Sequence, residues 1–345
     1  MKKFRRNSII ILIITLIVLI YVLRNDYEKI LSALGSANMW FILLAVICYF
    51  IYFILDKLSF YNLTRQYKKD MPFKTIFSIG VMTKFFDGIT PFSSGGQPYQ
   101  VYELNKHGVK VANGTNIVIQ NYIVFQIAFV LLGILAYILN HSLHLFKDVP
   151  SLKTFTIIGF TINGVILVLL MLIIFSKNFN KNIVRGIINL VSSFNKKMDK
   201  EKEIAKWDKK CNEYYLNGQV LLKAPLRFIK CIVYQTISMT FYFLVPLPLA
   251  YALGVGSSIN IISTIAAGSY IYNMGCYVPI PGATGGMEVG FFGFFGNFYT
   301  DSAILSSLMI LWRFITYYLP TLIGAIAFNI GPGKDAKKAL EENKI

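Results

Sequence analysis

Six long apolar runs, over residues 7–23, 38–60, 114–139, 152–175, 226–254 and 303–330, alternate with polar stretches along the chain. Each is close to the roughly 20 residues that an α-helix needs to cross a bilayer. Short alternating segments of the β-barrel kind are absent. The pattern predicts an all-α polytopic membrane protein with about six spanning helices. The first run follows Met1-Lys2-Lys3-Phe4-Arg5-Arg6 and has no small-x-small cleavage site before Arg24, so an uncleaved first helix is expected.

Two further apolar stretches, 75–110 and 260–298, are interrupted by helix-breaking residues. Pro91-Phe92-Ser93-Ser94-Gly95-Gly96 reads P-x-S-S-G-G, and Pro281-Gly282-Ala283-Thr284-Gly285-Gly286 reads P-x-x-T-G-G. Proline stops a helix, and a break inside lipid is tolerated only where the freed backbone groups face protein or a water-filled cavity. Paired breaks in corresponding places of two halves point to a transport site built from a repeat. The bland alternative is a pair of ordinary loops between hydrophobic helices.

Charge gives the topology. The chain of 345 residues is 55% hydrophobic and 15% charged, whereas soluble domains carry about 25% charged residues. Its net charge of +17 is concentrated in a few segments. Four basic residues lie in 1–8, seven in 61–113, eleven in 177–223 and four in 331–345, while 255–260 and 299–302 hold none. Basic loops face the cytoplasm, which puts both termini inside, at the plasma membrane. Span 38–60 then ends inside and 114–139 starts inside, so 75–110 must enter and leave from the cytoplasm. By the same argument 260–298 enters and leaves from outside. The expected architecture adds two re-entrant broken-helix hairpins in an inverted repeat, over about 38–139 and 226–330, within one transmembrane domain spanning 1–330. Residues 331–345 form a polar cytoplasmic tail. The basic charge is therefore topological, and no nucleic-acid partner is implied.

The segment 177–225 carries eleven basic and five acidic residues. Ile183, Ile187, Leu190, Val191 and Phe194 recur at helical spacing, with Lys181, Arg185, Lys196 and Lys197 around them. This fits a helix on the anionic cytoplasmic leaflet, or a solvated connector.

Candidate chemistry centres on the breaks. Paired glycines let a backbone or ligand approach closely, so Gly95, Gly96, Gly285 and Gly286 are candidates. The hydroxyls of Ser93, Ser94 and Thr284, together with Gln97, could satisfy freed backbone groups or bind a headgroup. Helices starting at Gly96 and Gly286 would aim positive dipole ends at an anion such as a lipid phosphate. Ionisable residues inside a membrane are functional candidates by default. Arg313 suits a phosphate or a carboxylate partner, and Glu288 is its natural structural mate. Lys84 and Asp87 are three apart and can share a helix face. Asp56 and Lys57 are expected to reach the interface, and many of the Tyr and Phe residues to face lipid or the interface, with no binding box read from them. Cys48, Cys211, Cys231 and Cys276 have no paired spacing, and His107, His141 and His144 no full ligand set, so neither a disulfide framework nor a metal is expected. No hydrolase, zinc-protease, P-loop or dinucleotide fingerprint appears, and no cofactor is expected.

Thr90 to Tyr99, Pro279 to Glu288 and the Arg313 to Pro320 segment resemble the flippase-like transmembrane domain of the lysylphosphatidylglycerol synthase (multiple peptide resistance factor) family, in a stand-alone form without the soluble synthase domain. The likeness covers nearly the whole chain. It implies movement of phosphatidylglycerol-type or lysyl-phosphatidylglycerol lipids to the outer leaflet, where cationic lipid weakens the attraction of cationic antimicrobial peptides. Many relatives carry Glu after the first Gly-Gly and Arg soon after, where this chain has Gln97 and Gln100. That departure supports lipid translocation more than a lysyl-lipid cargo. The rival expectations are phosphatidylglycerol lysyltransferase activity, or an accessory role in it, and a polyisoprenoid-lipid carrier serving glycan assembly. The implied partners are a membrane phospholipid and a separate synthase or glycan-assembly enzyme.

Overall fold

The computed structural model describes residues 27–146, 150–194, 199–222 and 224–330, all in helices and short connections. The expected first span at 7–23 and the tail at 331–345 lie outside the described residues. A short helix α1 (Tyr27–Gly35) precedes the long helix α2 (Met39–Thr64). Asn38 starts α2 by accepting a hydrogen bond from the Trp40 amide at 3.0 Å, as an N-cap should. The first broken pair is α3 (Phe73–Ile89) and α4 (Gly96–Lys106), and α5 (Val111–Leu143) follows.

Helices α6 (Pro150–Phe175), α7 (Lys177–Phe194) and α8 (Lys200–Leu222) occupy the middle of the chain. The second half repeats the plan. Helix α9 (Pro225–Leu244) runs on through α10 (Pro246–Ala252), and the second broken pair is α11 (Ile261–Gly275) and α12 (Gly286–Phe295). Asn260 and Ser263 form a reciprocal capping box at the start of α11. Last come α13 (Ser302–Arg313), a π-helical turn over Phe314–Tyr318, and α14 (Leu319–Ile330).

Four helical runs among the described residues are long and apolar enough to cross a membrane: Met39–Thr64, Val111–Leu143, Pro225–Ala252 and Ser302–Asn329. The expected span at 152–175 is the apolar helix α6. Their outer faces carry exposed apolar side chains such as Leu43, Ile47, Leu131, Ile134 and Ile138, the surface that lipid rather than water would cover. The chain is thus an all-α polytopic membrane protein.

Contacts between helices follow an exchange of the two halves. The α3 arm packs along α14, and the α11 arm packs along α5. Helix α2 packs on its counterpart α9, and the two breaks touch each other. An aromatic core including Phe291, Phe295 and Trp312 is buried between α12 and α13, with Phe291 and Trp312 stacked at 4.9 Å.

The basic stretch after α6 is a helical hairpin. Arg185 on α7 pairs with Asp208 on α8, and Lys181 lies 3.5 Å from the same carboxylate. Ile183, Ile187, Leu190 and Val191 project on the opposite side of α7 and are exposed. Lys196 and Lys197 lie outside the described residues, as does the Phe194 side chain.

Candidate functional site

The two breaks have the same backbone. Thr90 and Ile280 are extended, with φ −117° and −113°. Phe92 and Gly282 then take left-handed conformations at φ 56° and 67°, and Ser93 and Ala283 follow at 50° and 54°. The Ser93 amide donates to the Thr90 carbonyl and the Ala283 amide to the Ile280 carbonyl. The Ser94 hydroxyl donates to the Pro91 carbonyl at 2.9 Å, and the Thr284 hydroxyl to the Pro281 carbonyl at 3.0 Å. Both hydroxyls thus tie down their own turn. The copies diverge from Ser94 and Thr284 onward, with ψ −12° and 135°, and at the next residue Gly285 has φ 96° and Gly95 has φ −74°.

A carboxylate sits at the start of each second arm. Asp87, near the end of α3, accepts from the Gly96 amide at 3.1 Å. Glu288, in the first turn of α12, accepts from the Gly285 amide at 2.6 Å. These helix N-termini therefore meet an anion supplied by the chain itself. Gly96 is required at its place because a Cβ there would run into Asp87 and Thr83.

Arg313 closes the second break. Its Nε lies 2.7 Å from Glu288 Oε1, an ion pair without the alignment of a full hydrogen bond. Its Nη2 donates to the Gly282 carbonyl at 2.9 Å. The π-helical turn begins just after Arg313, and Pro320 explains it. With no N–H on Pro320 the α-helical ladder cannot continue unbroken, and the Leu319 amide reaches back to the Phe314 carbonyl. Such turns recur at functional sites.

A cavity of about 340 Å³ lies where the breaks meet. Ser93, Gln97, Lys84, Asp87 and Arg313 line it. Ser94, Gly95, Gly96, Thr284, Gly285, Gly286 and Glu288 do not, and instead shape the two turns. Lys84 and Asp87 share the wall without pairing. The Lys84 ammonium donates to the Tyr52 hydroxyl at 2.9 Å, and Asp87 is turned to Gly96. Access differs between the breaks: Phe92, Ser93 and Gln97 are exposed, while Gly282, Thr284 and Glu288 are buried.

Two expectations are corrected here. Asp56 and Lys57 do not reach the interface. They are 8% and 3% exposed, paired at 2.6 Å, and line the cavity. Nor are the aromatic residues without a place in the site, since Tyr52, Tyr122, Tyr242, Tyr272 and Tyr317 line the same space. Apart from Gln97 and the departure noted at Gln100, the neutral amides were missed. Gln100, Asn121, Gln126, Asn163 and Gln235 line it too. Gln126 donates to Asn163, which donates to Asn273 and Tyr277. The available signal was a carboxamide inside a long, mainly apolar run, at Asn163 and Gln235.

The lysylphosphatidylglycerol synthase TM region family matches residues 8–324, which include both breaks and every residue named above as lining the cavity. The chain belongs to this family. A UPF0104 membrane protein of Archaeoglobus fulgidus is 24% identical over 312 residues, 88% of this chain and 90% of that protein. Within the lysylphosphatidylglycerol synthase TM family, the chain brings its two helix breaks together around a polar, charged cavity. No group of three or more potential metal ligands occurs among the described residues.

Proposed function

We propose that the chain is a lipid translocase that carries a phosphate-bearing headgroup through the cavity between its two breaks. The observation that carries this reading is the presence of two buried cations, Lys57 and Arg313, and a half-buried third, Lys84, in one cavity inside an apolar helical bundle. Lys57 and Arg313 are neutralised by Asp56 and Glu288. Lys84 is held by a phenol, so it is the first ligand for a phosphate. A volume of about 340 Å³ is of small-molecule size, so it takes a headgroup and leaves the acyl chains in the bilayer. Ser93 and Gln97 receive the headgroup at the exposed break. Gly95, Gly96, Thr284, Gly285, Gly286, Asp87 and Glu288 keep the turns in shape.

The cargo class is phosphatidylglycerol or its lysyl ester, in the plasma membrane, with both termini cytoplasmic. Movement of the lysyl ester to the outer leaflet would confer resistance to cationic peptides. The exchange of contacts between halves supports two inverted repeats, 38–139 and 226–330. Rocking one against the other would close the exposed break and open the sealed one.

The test is reconstitution in liposomes with labelled phosphatidylglycerol, or its lysyl form, on one leaflet. Accelerated crossing that falls on Lys84→Gln is the expected result. No crossing of either lipid by folded protein would overturn the proposal.

A further inference from the structure

Charge in and against the cavity balances without a ligand. Among the described residues it consists of three cations and three carboxylates: Lys57 with Asp56 at 2.6 Å, Arg313 with Glu288 at 2.7 Å, and Lys84 with Asp87. The last two make no contact with each other. Lys84 donates to the Tyr52 hydroxyl, and Asp87 Oδ1 accepts from the Gly96 amide at 3.1 Å. Asp87 is thus the carboxylate of the three that has no cation against it.

The elements packed around Asp87 bring no further charge. Helix α14 and the second break at Pro281–Ala283 contain no ionisable residue. Helix α2 contributes Tyr52 and the Asp56–Lys57 pair, and the last helical run contributes Arg313 and Tyr317. On α4, Glu103 pairs with Lys106 at 3.5 Å and the Tyr99 hydroxyl turns to the Met82 sulfur.

A phosphodiester carries one negative charge. Seated on Lys84, it neutralises that ammonium and leaves Asp87 as a second anion in the same space. Charges interact more strongly in such a setting than in water, and a like charge nearby disfavours an ionised carboxylate. The geometry around Asp87 accommodates a proton. Protonated on Oδ2, the carboxyl still accepts from the Gly96 amide through Oδ1, so the turn keeps its shape. Its new O–H is a donor for a phosphate oxygen. Water reaches the first break, where Phe92, Ser93 and Gln97 are exposed, and supplies the proton.

We infer that Asp87 takes up one proton with each phosphate monoanion that enters the cavity, so that lipid and proton cross together without net charge. The inference rests on the translocase reading for the crossing, whereas the proton site is defined by binding alone.

The test is the proton balance of binding, read with a pH indicator in a weakly buffered detergent solution of the purified full chain. Short-chain phosphatidylglycerol should draw in about one proton per lipid bound, and its affinity should fall by up to about tenfold per unit rise in pH. Short-chain phosphatidylcholine brings no net charge and should draw in none. Dimethyl phosphate has the charge of the phosphodiester and no acyl chains. Uptake with it as well assigns the site to the phosphodiester itself, and uptake with phosphatidylglycerol alone assigns it to the lipid. Asp87→Asn keeps an acceptor for the Gly96 amide and should abolish both the uptake and the pH dependence. Binding of phosphatidylglycerol to the unaltered protein without proton uptake overturns the inference, whether or not the variant folds, and leaves the translocase reading in place. Equal uptake with the choline lipid, or uptake that persists in Asp87→Asn, overturns it too. Proton uptake without crossing in liposomes would uphold the site and remove the translocase reading.

Discussion

The Arg313 guanidinium lies 2.7 Å from the Glu288 carboxylate, and both are almost fully buried. Through this pair the last helical run is joined to the second break, because Glu288 also holds the Gly285 amide and Arg313 the Gly282 carbonyl. Removing one partner leaves a buried charge alone, which costs about 3–5 kcal/mol. Arg313→Ala is therefore expected to lower thermal stability sharply, as is Glu288→Ala. The double variant Arg313→Met/Glu288→Met should recover much of the loss. Thermal unfolding of the detergent-solubilised proteins checks this. A double variant no more stable than either single one would remove the pair from its structural role.

Phe92 and Gly282 occupy the same left-handed step in the two breaks, but only one is a glycine. An L-residue there costs roughly 1–2 kcal/mol. Phe92 is 59% exposed, so it gains little packing in return. Phe92→Gly should raise stability by about 1 kcal/mol after the entropic cost of glycine. Gly282→Ala should do the opposite, since a Cβ there would also strike the Tyr317 ring. Melting temperatures of the two variants, measured side by side, are expected to move in opposite directions.

Asn163 joins α6 to α5 and α11 through Gln126, Asn273 and Tyr277. Asn163→Leu removes one member and strands the others in an apolar setting. A loss of about 2–3 kcal/mol is expected. Hydrogen exchange should become faster in α6 before it does in α2 or α9. Unchanged protection in α6 would show that packing alone seats this helix.

Asp208 on α8 is half-buried, and its hydrogen bond with Arg185 holds its carboxyl below the ordinary 3.8, with Lys181 adding to the effect. A depressed value in the folded hairpin means that its contribution is present above the unfolded value and is lost as pH falls through the folded one. Proteolytic nicking between α7 and α8 should thus be constant from neutral pH down to about pH 5 and rise only below about pH 4. Asp208→Asn should flatten that acid response. A response that persists in the variant would assign it to other carboxylates.

The local pattern alone determined where the chain is apolar and where it must break. Run length marks the spans because a helix gains a fixed rise per residue. Proline and paired glycine mark the breaks because their limits on the backbone need no neighbour. The paired P-x-S-S-G-G and P-x-x-T-G-G motifs anticipated two breaks, and Phe92 and Gly282 within them take matching left-handed conformations. Tertiary packing decided what each polar side chain faces. A spanning helix is apolar nearly all round, so its period carries little information about which side meets protein. That is why Asp56 and Lys57 read as interfacial in sequence and yet lie buried beside Lys84. It is also why Asp87, expected near Lys84, turns to the Gly96 amide, a partner whose position depends on the angle of the break. The amides of Asn121 and Gln235, 114 residues apart, share a cavity only because α5 and α9 pack together.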